Sequence, residues 1–561
     1  MLFYKCPRRS IMDDNPNQEL FHLEGEPNLA SNPVKNEAKI SQHNRIVCDT
    51  FQGVVHLEWD PQAPVTPLGQ LPFFIEFLKA SHLYDEWIND CPLPLKLKGP
   101  HSSGVSNILG TLFLSSLSGQ RRYAHITAIR NDEVNPPLLG MTKIISEDTA
   151  RRAFQFIDEE NPPESALWKK NYQQWEQLCR EWQQKHLKIC YEPILCEPWI
   201  LDIDTTVKPL YGYQEGAEVG YNPQKPGRPS HVIHTYMIAQ IRLVIDSEVM
   251  SGKQTAAMYS LPRLLSLIDE LPEKHKPTLI RGDCAFGIER VLYDLEKRNI
   301  NYLFKLKQTK GVKTLIDFIL HEDPSKWVDV GQGWEAIGGE LHLSGWTKKR
   351  KVLIQRRPLR KRPPGRPKKE EQLLFPFMEL NKSGLKYEYS VLVTNLNLSA
   401  QTIVQLYRDR ADSENVFDEL KNQWGWGGYV TQDLLRSQIT ARIVAQVYNW
   451  WSLFTRLADP TKRREAITSR PLLLYGVGRR TTHAGQTTIT ITPTHAKYAL
   501  AQEMMTGIKD VLNWFKSLAE QYTTIQKWVM MLSIIFKHFL NGRLLGSTQK
   551  LPPGFELLEF G

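Results

Sequence analysis

WILDIDTTV, residues 199–207, sets the architecture of this 561-residue chain. Leu201 and Ile203 alternate with Asp202 and Asp204. With the two-residue period of a β-strand, both aspartates leave one face while the aliphatic side chains enter a core. A carboxylate in an apolar strand is costly to bury unless a charge compensates it, and a metal ion is one such charge. The bland alternative is two aspartates at the exposed end of a strand.

Downstream, the texture predicts strands alternating with helices. HVIHTYMIAQIRLVIDSEVM (231–250) reads as a β-hairpin or two consecutive strands, and MYSLPRLLSLIDEL (258–271) as a helix. PTLIRGDCAFG (277–287) reads as a strand running into a loop, with Gly282 permitting a sharp turn before Asp283. IERVLYDLEKRN is a helix and INYLFKLK a strand. Three early strands followed by β-α-β alternation imply a mixed sheet flanked by helices. An aspartate at the carboxyl end of a strand stands where open α/β sheets place their ligands.

A third signal lies further on. A long helix is predicted from Ala400 to about Trp424. At ~100° per residue, Tyr407, Arg410, Glu414 and Lys421 share a stripe about 60° wide. Val416, Leu420, Leu406 and Phe417 form the core-facing side. One face thus offers a carboxylate between two cations and a phenol, although a solvated ion-paired face would also set Arg410 and Glu414 four residues apart. Carboxylates converging from two strands and a helix are the donor set for two Mg²⁺ ions roughly 4 Å apart in phosphoryl transfer.

Residues 66–187 look largely helical. In ISEDTARRAFQFI, Ser146 is an N-cap signal, and the segment is either the second helix of a helix-turn-helix, with Arg151 and Arg152 on DNA, or an ordinary amphipathic surface helix. RIVCDTFQGVVHLEW (45–59) reads as strands around a glycine turn. Residues 310–397 are aromatic, Gly-rich and basic with strand-like pieces, and the tail is mostly helical with a Thr-rich strand at TTITITPTH.

Composition narrows the class. Hydrophobic residues make up 41% and charged residues 23%, ordinary for a globular protein. No apolar run approaches the ~20 residues of a membrane span, and MLFYKCPRRSIMDDN lacks a signal-peptide core, so the expectation is an intracellular protein with no membrane partner. Seven scattered cysteines argue against a disulfide framework or a cysteine zinc site. Seventy Lys and Arg against 61 Asp and Glu leave a net charge of +9. From Lys348 to Lys369, 12 of 22 residues are basic and none acidic, which suits DNA-backbone contact or, alternatively, a solvated loop.

Tyr407-x2-Arg410-x3-Glu414-x6-Lys421 matches the Y-x2-R-x3-E-x6-K signature of the insertion-sequence-four superfamily of bacterial DDE transposases at all four positions. LDIDTTV, YGYQEGAEVGYNPQKPGRPSH and LIRGDCAFG resemble its thirteen-eighty branch. The resemblance implies an RNase H-like α/β fold, a mixed sheet flanked by helices and interrupted by a β-rich insertion, with helical N- and C-terminal regions. It is strongest over 195–455 and implies a catalytic core in two parts (195–309 and 398–455) around an insertion (310–397). Composition and periodicity add a polar, disordered leader (1–44), a mostly helical DNA-binding region (45–190) and a helical C-terminal region (456–561).

It further implies Asp204, Asp283 and Glu414 as catalytic, metal-holding residues for two Mg²⁺ ions, with Mn²⁺ substituting. Relatives place the first aspartate before Thr, Ser or Gly, which favours Asp204 over Asp202, and the signature favours Glu414 over Asp418. Tyr407, Arg410 and Lys421, with Arg151 and Arg152, are expected on DNA. So are Arg366 and Lys368 of Pro-Gly-Arg-Pro-Lys (364–368), in the manner of a minor-groove hook. An insertion-domain tryptophan handles a flipped base in relatives, for which Trp346 and Trp334 are candidates beside the alternative of packed tryptophans. The implied function is cut-and-paste transposition by a homodimer on terminal inverted repeats and target DNA, in the bacterial cytoplasm at the nucleoid. The competing readings are an RNase H-like endonuclease without strand transfer and an inactive transposase-derived DNA-binding protein.

Overall fold

The computed structural model describes residues 46–93, 104–223, 225–319, 324–358, 378–380, 386–518, 521–552 and 554–555. The expected leader (1–44) and the hook residues Arg366 and Lys368 lie outside them. The chain divides into two units, 1–63 and 64–561. In the first, Ile46–Thr50 pairs antiparallel with Gly53–Leu57, the expected strands around a glycine turn.

The second unit is built on a mixed sheet. Its strands are β1 (Ile200–Pro209), β2 (Pro229–Ile238), β3 (Leu243–Ser251), β4 (Leu279–Gly282), β5 (Tyr302–Lys305), β6 (Glu335–Leu341), β7 (Arg350–Pro358) and β8 (Lys386–Thr394). They lie in the order β3-β2-β1-β4-β5-β8-β7-β6. β1 runs antiparallel to β2, and β2 to β3; β4 and β5 are parallel to β1. The parallel steps are bridged by α1 (Ala257–Asp269) and α2 (Glu289–Lys297), as parallel pairing demands. α2 buries Val291, Leu292 and Leu295.

The segment 310–397 opens with a helix that composition had hidden, α3 (Lys310–Ile319), with Val312, Ile316 and Ile319 buried. Its strands then extend the same sheet, β8 pairing antiparallel with β5.

The predicted long helix is two: α4 (Ala400–Arg408) and α5 (Ala411–Asn422). In an unbroken helix the Leu406 carbonyl would accept from the Arg410 N–H. Here the Arg281 guanidinium donates to that carbonyl, and the Arg410 N–H turns to Tyr407 at 3.2 Å. A side chain inserted into the hydrogen-bond ladder is a recognised cause of a break.

Behind β3 runs α6 (Leu434–Ala458), buried along most of its length. Asn449 acts as a surrogate strand residue: its amide donates to the Val244 carbonyl at 2.8 Å and accepts from the Val244 N–H at 2.9 Å. The Gln438 amide donates likewise to Ser247. Edge groups of β3 are thereby satisfied. On the other side of α6 pack Leu71–Ala80 and Val105–Leu117, through Phe74 on Phe454 and Trp451 and Phe113 on Trp450. The helix Tyr498–Ser517 joins them, with Lys509 and Lys516 both on Glu76 at 2.6 Å. Helices from both ends of this unit thus pack together through contacts distant in sequence. Among the described residues no helix is long and apolar enough to cross a membrane.

Candidate active site

Register decides which aspartate is free. In the parallel β1–β4 ladder Asp202 is level with Arg281, and adjacent strands lie about 4.8 Å apart. Arg281 forks onto Asp202, Nε and Nη2 each at 2.7 Å. Ser413, from the first turn of α5, donates to the same carboxylate. Asp202 is fully buried and its oxygens are taken. With Arg281 also on the Leu406 carbonyl, this network fastens β1, β4, α4 and α5 together.

Two residues on, Asp204 stands level with the position just past β4, which is Asp283. Gly282, which precedes it, is a strand residue without positive φ. The expected turn role gives way to packing: a Cβ there would meet the Phe286 ring at 2.8 Å and Ile203 at 3.0 Å. Asp283 caps its own turn by accepting the Ala285 N–H at 2.8 Å.

Asp204 has far weaker compensation. It accepts the Thr205 N–H at 2.8 Å and has Arg410 at 3.4 Å. Burial pushes its carboxyl up to about 6, against the pull of Arg410 and the Thr205 N–H, and Asp283 and Glu414 push the same way. That mutual influence places the three carboxylates in one electrostatic neighbourhood. Asp283 and Glu414 line a single cleft of about 330 Å³ with Thr205, Tyr221, Asp418 and Lys421.

Arg410, the N-cap of α5, is buried between Asp204 and Glu414 and ion-pairs with both. Desolvation is the largest single influence and lowers its pKa, but Asp204, Tyr407, Glu414 and Asp202 together outweigh it and the net shift is upward. Its Nε makes no hydrogen bond among the described residues. Glu414 is largely exposed, whereas Tyr407 is half-buried on α4, its phenol raised by burial, opposed by Arg410, with Asp283 and Glu414 adding to the rise. Asp418 shares the cleft but is held by Asn422 at 2.6 Å. Among the described residues no three His, Cys, Asp or Glu side chains are already drawn together as a metal cluster. Glu414 is turned onto Arg410.

The structure therefore brings together Asp204, Asp283, Glu414, Tyr407, Arg410 and Lys421. Arg151 and Arg152 stand elsewhere, on a helix of only six residues, Glu147–Arg152, capped by Ser146. That is shorter than the expected recognition helix, and Phe154, just beyond it, is buried. Arg151 is paired with Asp148, and its carbonyl accepts from Arg436 at 2.9 Å. Much of the described part of the basic run is ion-paired: Arg350 with Glu289 and Glu296 of α2, and within the sheet Arg356 with Glu335 and Arg357 with Glu388. Trp346 and Trp334 pack under Arg350 at 5.0 Å and Arg357 at 4.8 Å.

Sequence reasoning missed Arg281 and Ser413; the signal was an arginine inside the apolar strand LIRG. It also missed Lys208, buried with its ammonium on the Tyr429 carbonyl at 2.6 Å and lowered by burial to about 7.

Residues 101–509 match the family model described as "Transposase DDE domain group 1". No curated protein matches the chain. A solved structure, the cryo-EM structure of a piggyBac transposase synaptic complex with hairpin DNA, is 10% identical over 82% of this chain and 85% of that one. Its TM-score of 0.36 is too low a likeness to bear on this chain's fold or chemistry.

Proposed function

This chain belongs to the transposase DDE domain group 1 family, and from that premise we propose that it is a DNA transposase cutting and joining phosphodiester bonds at Asp204, Asp283 and Glu414. The observation that carries the proposal is that Asp283 and Glu414, from the end of β4 and from α5, line one cleft with Lys421, while Asp204 of β1 shares Arg410 with Glu414 and feels the charge of both other carboxylates. The strand order 3-2-1-4-5, with the first three strands antiparallel and the last two parallel to the first, supports an RNase H-like core. The complete Tyr407–Arg410–Glu414–Lys421 spacing supports the insertion-sequence-four superfamily and its thirteen-eighty branch.

The donor set fits hard divalent cations, which take oxygen ligands. Asp204, whose charge is poorly compensated by the protein, is the residue that gains most from one. Two Mg²⁺ ions, or Mn²⁺ in their place, would be held by Asp204, Asp283 and Glu414 and supply Lewis acidity at the attacking and departing oxygens. The chain's own residues do the rest. Glu414 exchanges Arg410 for the site, which frees the guanidinium; with its unpaired Nε, Arg410 then suits a phosphate oxygen. Lys421 supplies a second cation and Tyr407 a phenolic donor. The Asp202–Arg281–Ser413 network holds the strands and helix in place throughout.

In the first step water attacks the scissile phosphorus and the bond to the 3′ oxygen breaks, freeing a 3′-hydroxyl. In the second that hydroxyl attacks a target phosphodiester, and the displaced target strand leaves with the proton. A homodimer on the terminal inverted repeats aligns both ends.

The test uses labelled element ends and a supercoiled target. Wild type should nick the ends and join them to the plasmid, and Asp283→Asn should abolish both while retaining end binding. Cleavage without joining by wild type would reassign the protein as an endonuclease. Activity surviving in Asp283→Asn would overturn the site.

A further inference from the structure

Between β1 and β2 the chain makes an excursion, 210–228, that the chemistry above does not use. Three tyrosines stand out of it: Tyr211 is 69% exposed, Tyr221 70% and Tyr213 fully. Large aromatic rings left in water mark interaction sites. Cations accompany them. Lys225 lies 5.1 Å and Arg228 4.7 Å from the centre of the Tyr211 ring, and Lys225 also bonds the Tyr211 hydroxyl. Arg122 acts on the same phenol, which Lys225 holds below the usual tyrosine range. Among the described residues neither Lys225 nor Arg228 has a carboxylate partner.

The excursion is built rather than loose. Glu218 and Val219 pair with β2, the Glu215 N–H donates to the Gln432 carbonyl at 2.8 Å, and Asn222 accepts the Lys225 N–H at 3.0 Å. A Cβ at Gly220 would overlap the Gly252 carbonyl, so the two backbones are in direct contact there. The surface also runs into the carboxylate cleft, because Tyr221 and Asn222 form part of its wall with Asp283 and Glu414.

Exposed rings interleaved with unpaired cations, leading into a cleft suited to phosphate, match the chemistry of a single strand: stacking faces for bases and charge for the backbone. A paired duplex hides its base faces and engages only the charges. We propose that Tyr211, Tyr213 and Tyr221, with Lys225, Arg228 and Arg122, hold unpaired nucleotides of the DNA strand beside the scissile phosphate. This rests on the transposase reading, because it requires DNA at the cleft.

The test is fluorescence anisotropy of the full chain with two DNA probes, a blunt duplex and the same duplex carrying a short unpaired extension. Wild type should bind the extended probe about tenfold more tightly, as expected for one or two stacked bases. Tyr213→Ala with Tyr221→Ala should erase that preference, with a smaller loss on the blunt duplex because Tyr221 also walls the cleft, while the two Tyr→Phe changes keep it. Lys225→Ala with Arg228→Ala should weaken both probes and flatten the salt dependence. Equal binding of the two probes by wild type, a preference that survives the alanine changes, or an equal loss on both probes with those changes would each overturn the inference. Asp283→Asn, run alongside, separates the two claims. Preference absent with cleavage intact removes only this inference; cleavage by Asp283→Asn with preference intact removes only the assignment of the catalytic carboxylates.

Discussion

Two arginine–carboxylate pairs lie two residues apart on one face of β1 and differ in character. Asp202 and Arg281 form a forked pair at 2.7 Å, wholly buried, with Ser413 completing the shell. Asp204 and Arg410 stand 3.4 Å apart, with Arg410 shared by Glu414 and one of its nitrogens unbonded. The chemistry of the groups is the same; what differs is saturation. A closed pair can only hold structure. An open one keeps a carboxylate short of positive charge and a guanidinium short of acceptors, the state in which a site meets a cation and a phosphate.

The largest effect expected from breaking this comparison is on the closed side. Arg281→Met leaves Asp202 buried and unpaired and takes the donor from the Leu406 carbonyl. It should destabilise the protein by about 3–5 kcal/mol in chemical unfolding. Adding Asp202→Leu should recover much of that loss. A single change within about 1 kcal/mol of wild type would show that the pair fastens nothing.

The open side should respond with the opposite sign. Asp204 holds its proton more tightly folded, at about 6, than at its ordinary 3.8. Without divalent ions, the native state therefore loses stability as pH rises from about 4 to 6 and stays lower above. Asp204→Asn should accordingly stabilise the ion-free protein by about 2–3 kcal/mol at pH 8, and by about half as much near pH 5. Unfolding curves in a chelator at both pH values measure this. A destabilised or pH-independent variant would place Asp204 among the saturated carboxylates.

How much of this was legible in the sequence follows the range of the interactions. The alternation of Leu201 and Ile203 with Asp202 and Asp204 is local, and the strand and its polar face read directly. The amphipathic pattern of Val416, Phe417 and Leu420 likewise placed Glu414 and Lys421 toward the cleft. The break at Asp409–Arg410 was not legible, because its cause is Arg281, more than a hundred residues away. Nor could the role of Gly282 be told from a turn glycine, since the atoms that exclude a side chain there belong to Phe286 and Ile203. By strand pattern alone Asp202 and Asp204 look alike, and only the resemblance favours Asp204; the β1–β4 register gives the physical difference, setting one opposite an arginine and the other beyond the strand's end. The ion pairs of the basic run's described part were not legible, because the acidic partners, Glu289, Glu296, Glu335 and Glu388, come from other elements.

Mn²⁺ binding followed by calorimetry on the full chain and on Asp204→Asn, Asp283→Asn and Glu414→Gln tests most directly whether the three carboxylates form one site. The account predicts that wild type binds and that each variant loses affinity by at least about tenfold. Undiminished binding in all three variants would contradict it.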